Sequence, residues 1–234
     1  MNTQEQFVSL DHLESLESLE PIENLVPQDL VAYVETSILP RYATFDAAHR
    51  EDHARMVIEQ SMQIVDTLQS STPVSRAMAY AIAAFHDLGL CEGRDTHHIV
   101  SARIIRADAH LRRWFTEDEV SVMADAAEDH RASAKREPRT LYGRIVAEAD
   151  RFIDPRIIIR RTLQFGFEHY PTLSREEHLA RAVDHLHEKY GDGGYLKLWI
   201  PGSPNAQRLE ALRQIIRDEE RLRSVLDEEW TTLK

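Results

Sequence analysis

The chain has 234 residues, 42% of them hydrophobic and 29% charged, with a formal net charge of −12. That length can bury a substantial core, and the acidic balance argues against nucleic acid as a partner. No apolar run approaches the roughly 20 residues of a bilayer span, and a lone cysteine, Cys91, excludes an internal disulfide.

Residues 1–26 read as an acidic appendage. Leu13, Leu16 and Leu19 recur every third residue among acidic neighbours, ahead of Pro21, which suits a short amphipathic helix or a solvated tail. The first ten residues lack the basic and apolar regions of a signal peptide, and with one cysteine a cytoplasmic location is expected. A helical core with a C-terminal helical extension should fill residues 27–234.

From Pro27 the pattern is helix after helix. A first helix over residues 28–37 should close at Pro40. Residues 47–69 carry Val57, Ile58, Met62, Ile64, Val65 and Leu68 at the spacing of a buried helical face. Residues 75–85 are almost entirely apolar and predict a central helix, followed by a loop with Gly89 and Gly93 and a helix over 98–111. Thr116-Glu117-Asp118-Glu119 has the form of a capping box opening a helix to about residue 131. Pro138 suits the first turn of the next helix, which should run to about residue 152. Residues 155–166 form another apolar helix. Ser174-Arg175-Glu176-Glu177 is a second capping box, and its helix should end at Tyr190 before Gly191. A single long, charge-laced helix is expected over 204–230. With no competing strand signal, the fold class is all-α.

The chemistry concentrates where the apolar 75–85 helix ends in His86-Asp87. Burying two ionisable groups there is costly unless something offsets the lost hydration, and a divalent metal does so, since imidazole and carboxylate are good ligands. His53, His130 and Asp150 lie on three other helices, at apolar or terminal positions. Helical bundles build metal sites from such facing side chains. His49 competes with His53, but its setting near a helix start favours solvent. Asp150 taken alone could instead pair with Arg151 or Arg131.

The order His53, His86-Asp87, Asp150 resembles the HD-domain superfamily of metal-dependent phosphohydrolases. Asp52-His53-Ala54-Arg55-Met56-Val57 is similar to the family's first-histidine helix and Ala83-Ala84-Phe85-His86-Asp87-Leu88-Gly89 to its signature. Ile145-Val146-Ala147-Glu148-Ala149-Asp150 is similar to its closing aspartate helix. The likeness covers about residues 45–155 and implies an HD-domain helical bundle with additional C-terminal helices. His97, four residues before Ser101-Ala102, and His130, twenty before Asp150, resemble the further ligands of the dinuclear branch. The full series is similar to that of the bacterial diadenosine-tetraphosphate hydrolases. His98 is the alternative to His97, because adjacent helical residues point about 100° apart and only one should face the metals.

The resemblance implies one or two divalent ions, with Mn, Fe, Co, Ni, Zn and Mg left open, held by His53, His86, Asp87, His97, His130 and Asp150. Asp87 would bridge two ions, and a metal-bound hydroxide of lowered pKa would attack a phosphoester or phosphoanhydride of a small nucleotide or related metabolite. Arg131 is the first candidate to hold the remaining phosphate, then Arg94, Arg139, Arg144 and Arg151, with a solvated position the alternative for Arg144. Leu90 stands where many members carry a signature lysine, so a catalytic helper would come from elsewhere, with Glu92 or Arg94 nearest. The markers of the cyclic-dinucleotide and alarmone branches are missing.

An HD-type diiron oxygenase uses the same ligand set and is the alternative, and a non-catalytic regulatory or interaction protein is the third reading. A homo-oligomer is compatible with the sequence, and no membrane partner is expected. His12, His110, His178, His185 and His187 are expected on solvated faces. Phe165, Phe167, Tyr170, Tyr195 and Trp199 are expected in core packing rather than in a nucleobase pocket.

Overall fold

Alternating apolar faces and capped starts organise the chain into helices, and the computed structural model describes residues 25–46, 49–68, 72–131 and 136–233. Among the described residues there are ten α-helices and no strand. The first six are α1 (Gln28–Tyr33), α2 (Glu51–Leu68), α3 (Arg76–Phe85), α4 (His97–Ala107), α5 (Glu117–Asp129) and α6 (Leu141–Ala149). The last four are α7 (Pro155–His169), α8 (Arg175–Tyr190), α9 (Pro204–Arg217) and α10 (Glu219–Leu233). No helix among the described residues is long and apolar enough to cross a membrane.

Two hydrophobic cores follow from this order. The first centres on α3, whose residues from Met78 to Phe85 are all buried, and it gathers Val57, Ile105, Met123 and Ile145 from α2, α4, α5 and α6. Five alanines in α3 let neighbouring helices approach closely. The second core joins α7 to α10 through Ile159, Leu163, Leu186, Leu212 and Leu226. Trp199 and Ile200, in the segment between α8 and α9, pack into the first core and so tie the two units together.

Both expected capping boxes form. Thr116 and Ser174 accept hydrogen bonds from the backbone N–H of Glu119 and Glu177, whose carboxylates return the bond to the cap residue. Several expected boundaries move. The 28–37 helix is α1 followed by a π turn, Val34–Ile38, and a 3-10 turn, Leu39–Thr44, that runs through Pro40. Proline is tolerated there because a first-turn N–H needs no intrahelical acceptor. The 98–111 helix begins one residue earlier and ends at Ala107, because Asp108 turns extended and its carboxylate accepts from His110 N, opening a separate 3-10 turn.

Pro138 lies ahead of α6, whose cap is Thr140, bonded from Gly143 N at 3.0 Å. The single 204–230 helix is two. Asp218 adopts an extended backbone (φ −95°, ψ 93°), and its side chain accepts from Arg221 N at 3.0 Å, ending α9 and capping α10. The appendage reading of residues 1–26 falls almost wholly outside the described residues.

Candidate metal centre

The apolar α3 delivers His86 and Asp87 to its C-terminal end, both buried. His86 Nδ1 lies 2.7 Å from the carbonyl oxygen of Ala83, three residues back. A carbonyl only accepts, so Nδ1 carries the proton, and the Nε2 lone pair points forward. His130 repeats the arrangement with Ala127 O at 2.5 Å, and His97 with Arg94 O at 2.6 Å. Three imidazoles therefore share one tautomer and one orientation, as in metal-ligating histidines whose other nitrogen is tied to a carbonyl.

Gly89 brings the third of these within reach. A Cβ at that position would meet the backbone oxygen of His97 at 1.9 Å, and Gly89 N donates to Ser101 Oγ at 2.9 Å. Only a glycine lets the turn after Asp87 lie against the start of α4, and the small Ser101 receives it.

The six side chains form two triads, His53-His86-Asp150 and Asp87-His97-His130, each with potential ligand atoms within 4.8 Å of one another. Asp87 lies between them. Its Oδ2 is 3.6 Å from His53 Nε2 and 3.4 Å from His86 Nε2. Its Oδ1 is 3.5 Å from His97 Nε2 and 3.3 Å from His130 Nε2. Asp150 Oδ1 is 3.2 Å from His53 Nε2 and 3.9 Å from His86 Nε2.

Within each triad two imidazoles meet nitrogen to nitrogen, His53 and His86 at 3.4 Å and His97 and His130 at 3.2 Å. With Nδ1–H donated to the backbone, neutral His97 and His130 would present two lone pairs to each other, which repel unless a proton or a metal cation lies between. In the metal-free protein protons fill that need. Burial opposes charge on His53, but the carboxylates of Asp150 and Asp87 outweigh it and push the imidazole up to about 9. Burial likewise opposes charge on His130, and Asp87 overcomes it, raising that imidazole too.

Asp87 would be raised by burial, yet the charge of His86 and the bonds from His130 and His53 hold it far below the carboxylate range. Asp150 is also lowered: burial opposes, but the bond from His53 and the charges of His86 and His130 prevail. His97 goes the other way, lowered chiefly by burial. Four imidazoles and two carboxylates are the donor set that borderline divalent metals take, so the residues present fit such ions.

The structure brings all six expected ligands together, and it is His97, not His98, that faces Asp87. The other expected site residues each have a partner of their own. Glu92 is exposed and ion-paired with Arg103. Arg94 is exposed, 4.0 Å from Asp46. Arg131 donates to the carbonyl of Asp95 at 2.6 Å, bracing the loop that leads to His97. Arg139 differs from a free phosphate binder: it is engaged by Asp129 at 2.9 Å, Glu128 at 3.1 Å and Asp125 at 3.4 Å. Asp129 is buried beside His130 and needs that neutralisation.

Arg151 donates to the carbonyl of Lys197, and burial lowers its guanidinium. Arg144 is half-buried and pairs with Glu137 at 2.7 Å. His49 bonds Asp46 at 2.8 Å with its ring 5.6 Å from that of His53, beside the first triad and outside it.

Two expectations about the C-terminal unit are overturned. His178 is buried, its ring 5.1 Å from Phe167 and 5.7 Å from Trp230, because it faces α7 and α10 rather than solvent. Phe165, Tyr170 and Tyr195 are exposed, not core. The first two lie beneath the Arg181 guanidinium at 5.8 and 5.7 Å, on the face of the C-terminal end of α7 turned away from the second core.

Sequence reasoning passed over Tyr42, Asp129 and Glu148. Tyr42 is wholly buried; its hydroxyl donates to Ala84 O at 2.9 Å and accepts from Asp87 N at 3.3 Å, pinning the turn that carries His86 and Asp87. Nothing in Pro40-Arg41-Tyr42 signals that role. A buried glutamate in the apolar run of α6 was a visible anomaly.

The fold and site define an all-α protein with two adjacent His/Asp clusters able to hold metal ions. Residues 50–153 match the family model of the HD domain, and both triads lie inside that span. HD domains bind divalent metals and are mostly metal-dependent phosphohydrolases. No curated protein and no solved structure matches the chain.

Proposed function

We propose that this protein hydrolyses a phosphoester or phosphoanhydride bond in a small nucleotide or related phosphorylated metabolite, using two divalent ions. The observation that carries this reading is Asp87, with one carboxylate oxygen facing each triad. His53, His86 and Asp150 with Asp87 Oδ2 would hold one ion, and His97 and His130 with Asp87 Oδ1 the other. When bound, such ions supply Lewis acidity, lowering the pKa of water and offsetting charge on phosphate oxygens.

The chain's own contribution is orientation. The carbonyls of Ala83, Arg94 and Ala127 hold the Nδ1 protons of His86, His97 and His130, and Tyr42 holds the backbone of Asp87. These supports hold four of the six ligands in place. Arg94 belongs to the loop leading into His97 and Arg131 braces it, and we assign them the outer phosphate. Glu92 is taken up by Arg103, so no proton transfer is assigned to it. The resemblance of the ligand order to that of bacterial diadenosine-tetraphosphate hydrolases is the reason to try dinucleoside polyphosphates first.

The test is metal content and phosphate release, wild type against Asp87→Ala, on a panel of dinucleoside polyphosphates, nucleotides and sugar phosphates. We expect about two ions per chain in the wild type, with both the ions and hydrolysis lost in the variant, activity falling by at least about 10³. A metal-replete wild type inactive on the panel overturns the proposal. Turnover that stops when oxygen is removed would replace it with the diiron oxygenase.

A further inference from the structure

Glu148 is fully buried two residues before Asp150, and it is held by the C-terminal unit. Its Oε2 accepts from the backbone N–H groups of Trp199 at 2.8 Å and Ile200 at 3.0 Å, and its Oε1 accepts from Ser203 Oγ. Ser203 is also the cap of α9, accepting from Ala206 N at 3.0 Å. Two positions on, the buried amide of Asn205 donates to the carbonyls of Glu148 at 2.7 Å and Arg151 at 2.9 Å. Glu148 O also accepts from Arg151 N at 3.1 Å, and Asn205 adds a donor to the backbone carbonyls on both sides of Asp150, where α6 ends. One turn further, Arg208 donates to Gln60 Oε1 on α2 at 2.6 Å and to Asn205 Oδ1 at 3.3 Å. Gln60 lies two turns along from His53.

We infer that the start of α9 is a latch, with Glu148 and Asn205 as positioning residues that set where Asp150 stands against His53 and so tune the first of the two metal positions. The latch belongs to residues 199–208, beyond the span that matches the HD domain. It therefore couples the C-terminal helices to the site. Bonds at 148 and 151 fix the backbone on either side of residue 150, and a carboxylate released from that frame would no longer sit 3.2 Å from His53 Nε2. The Asp87-His97-His130 triad touches none of these bonds. The inference rests on the metal reading above.

Manganese binding to the full-length, chelator-treated protein, measured by titration calorimetry, tests it. Asn205→Ala should weaken one of two manganese sites by roughly tenfold or more and leave the other unchanged, the scale of losing an outer support of a ligand. Glu148→Ala should do the same. Glu148→Gln should bind like wild type, since its amide oxygen can accept from Trp199 and Ile200 and its N–H can donate to Ser203 Oγ. Arg160→Ala, which loosens the C-terminal unit away from the latch, should leave both sites intact and serves as the stability control. Wild-type affinity at both sites in Asn205→Ala and Glu148→Ala, whatever their thermal midpoints, overturns the inference. Equal weakening at both sites, or weakening in Arg160→Ala too, overturns it as well. A wild type that binds no manganese overturns the metal reading itself, and the latch with it.

Discussion

Glu229 in the C-terminal unit and Asp87 in the N-terminal unit are both nearly inaccessible carboxylates, at 1% and 3% exposure. Glu229 is met by two arginines, Arg160 Nε at 2.6 Å and Arg156 Nη1 at 3.4 Å, whose guanidinium groups reach water. Its charge is answered within the protein. Asp87 is met only by imidazoles, and among the described residues no lysine or arginine lies within ion-pair distance of Asp87 or Asp150. A buried charge neutralised by permanent cations is a structural joint. One surrounded by groups that must take up protons to match it is prepared for a cation from outside.

The pH dependence of the site sharpens that contrast most. His53 is raised from its ordinary 6.5 to about 9, so its contribution to the stability of the metal-free protein is complete below about 6.5 and lost as pH rises through about 9. A metal takes the neutral imidazole and must displace this proton. Apparent manganese affinity should therefore rise roughly tenfold per unit from about pH 7 and flatten near 9. Calorimetry across that range checks it, and a flat profile would break the comparison.

Arg160→Ala probes the other side. Removing one partner of a buried ion pair costs about 3–5 kcal/mol, but Arg156 remains and Arg160 is partly solvated, so about 2 kcal/mol is expected. Denaturant unfolding measures it, with manganese stoichiometry unchanged. If metal binding falls too, the two regions are not separable.

Tyr42→Phe should have the smallest effect. It leaves Asp87 N and Ala84 O without their bonds to the hydroxyl while preserving the ring. A loss of about 1 kcal/mol is expected. Manganese affinity should drop a few-fold, since the turn carrying Asp87 loses its brace. An effect on stability alone would reduce Tyr42 to packing.

Much of the fold was legible because its signals are local. The capping boxes at Thr116 and Ser174 and the apolar run of α3 identify helices from neighbouring residues alone. The break at Asp218 was less visible, since acidic residues also suit the exposed face of a continuous helix. The ligands were legible for another reason: imidazoles and carboxylates at apolar helix positions are anomalies that burial does not tolerate without compensation.

The sequence by itself determined the all-α class, the residue types of the site and their order along the chain, because periodicity and chemical type are written residue by residue. Only the tertiary structure decided that His97 rather than His98 faces Asp87, that Arg139 serves Asp129, that His178 is buried, and that Glu148 and Asn205 join α9 to the end of α6. Each depends on what lies across a packing interface from a given side chain. Residues such as Glu148 and Ser203, 55 positions apart, meet only once the helices have packed.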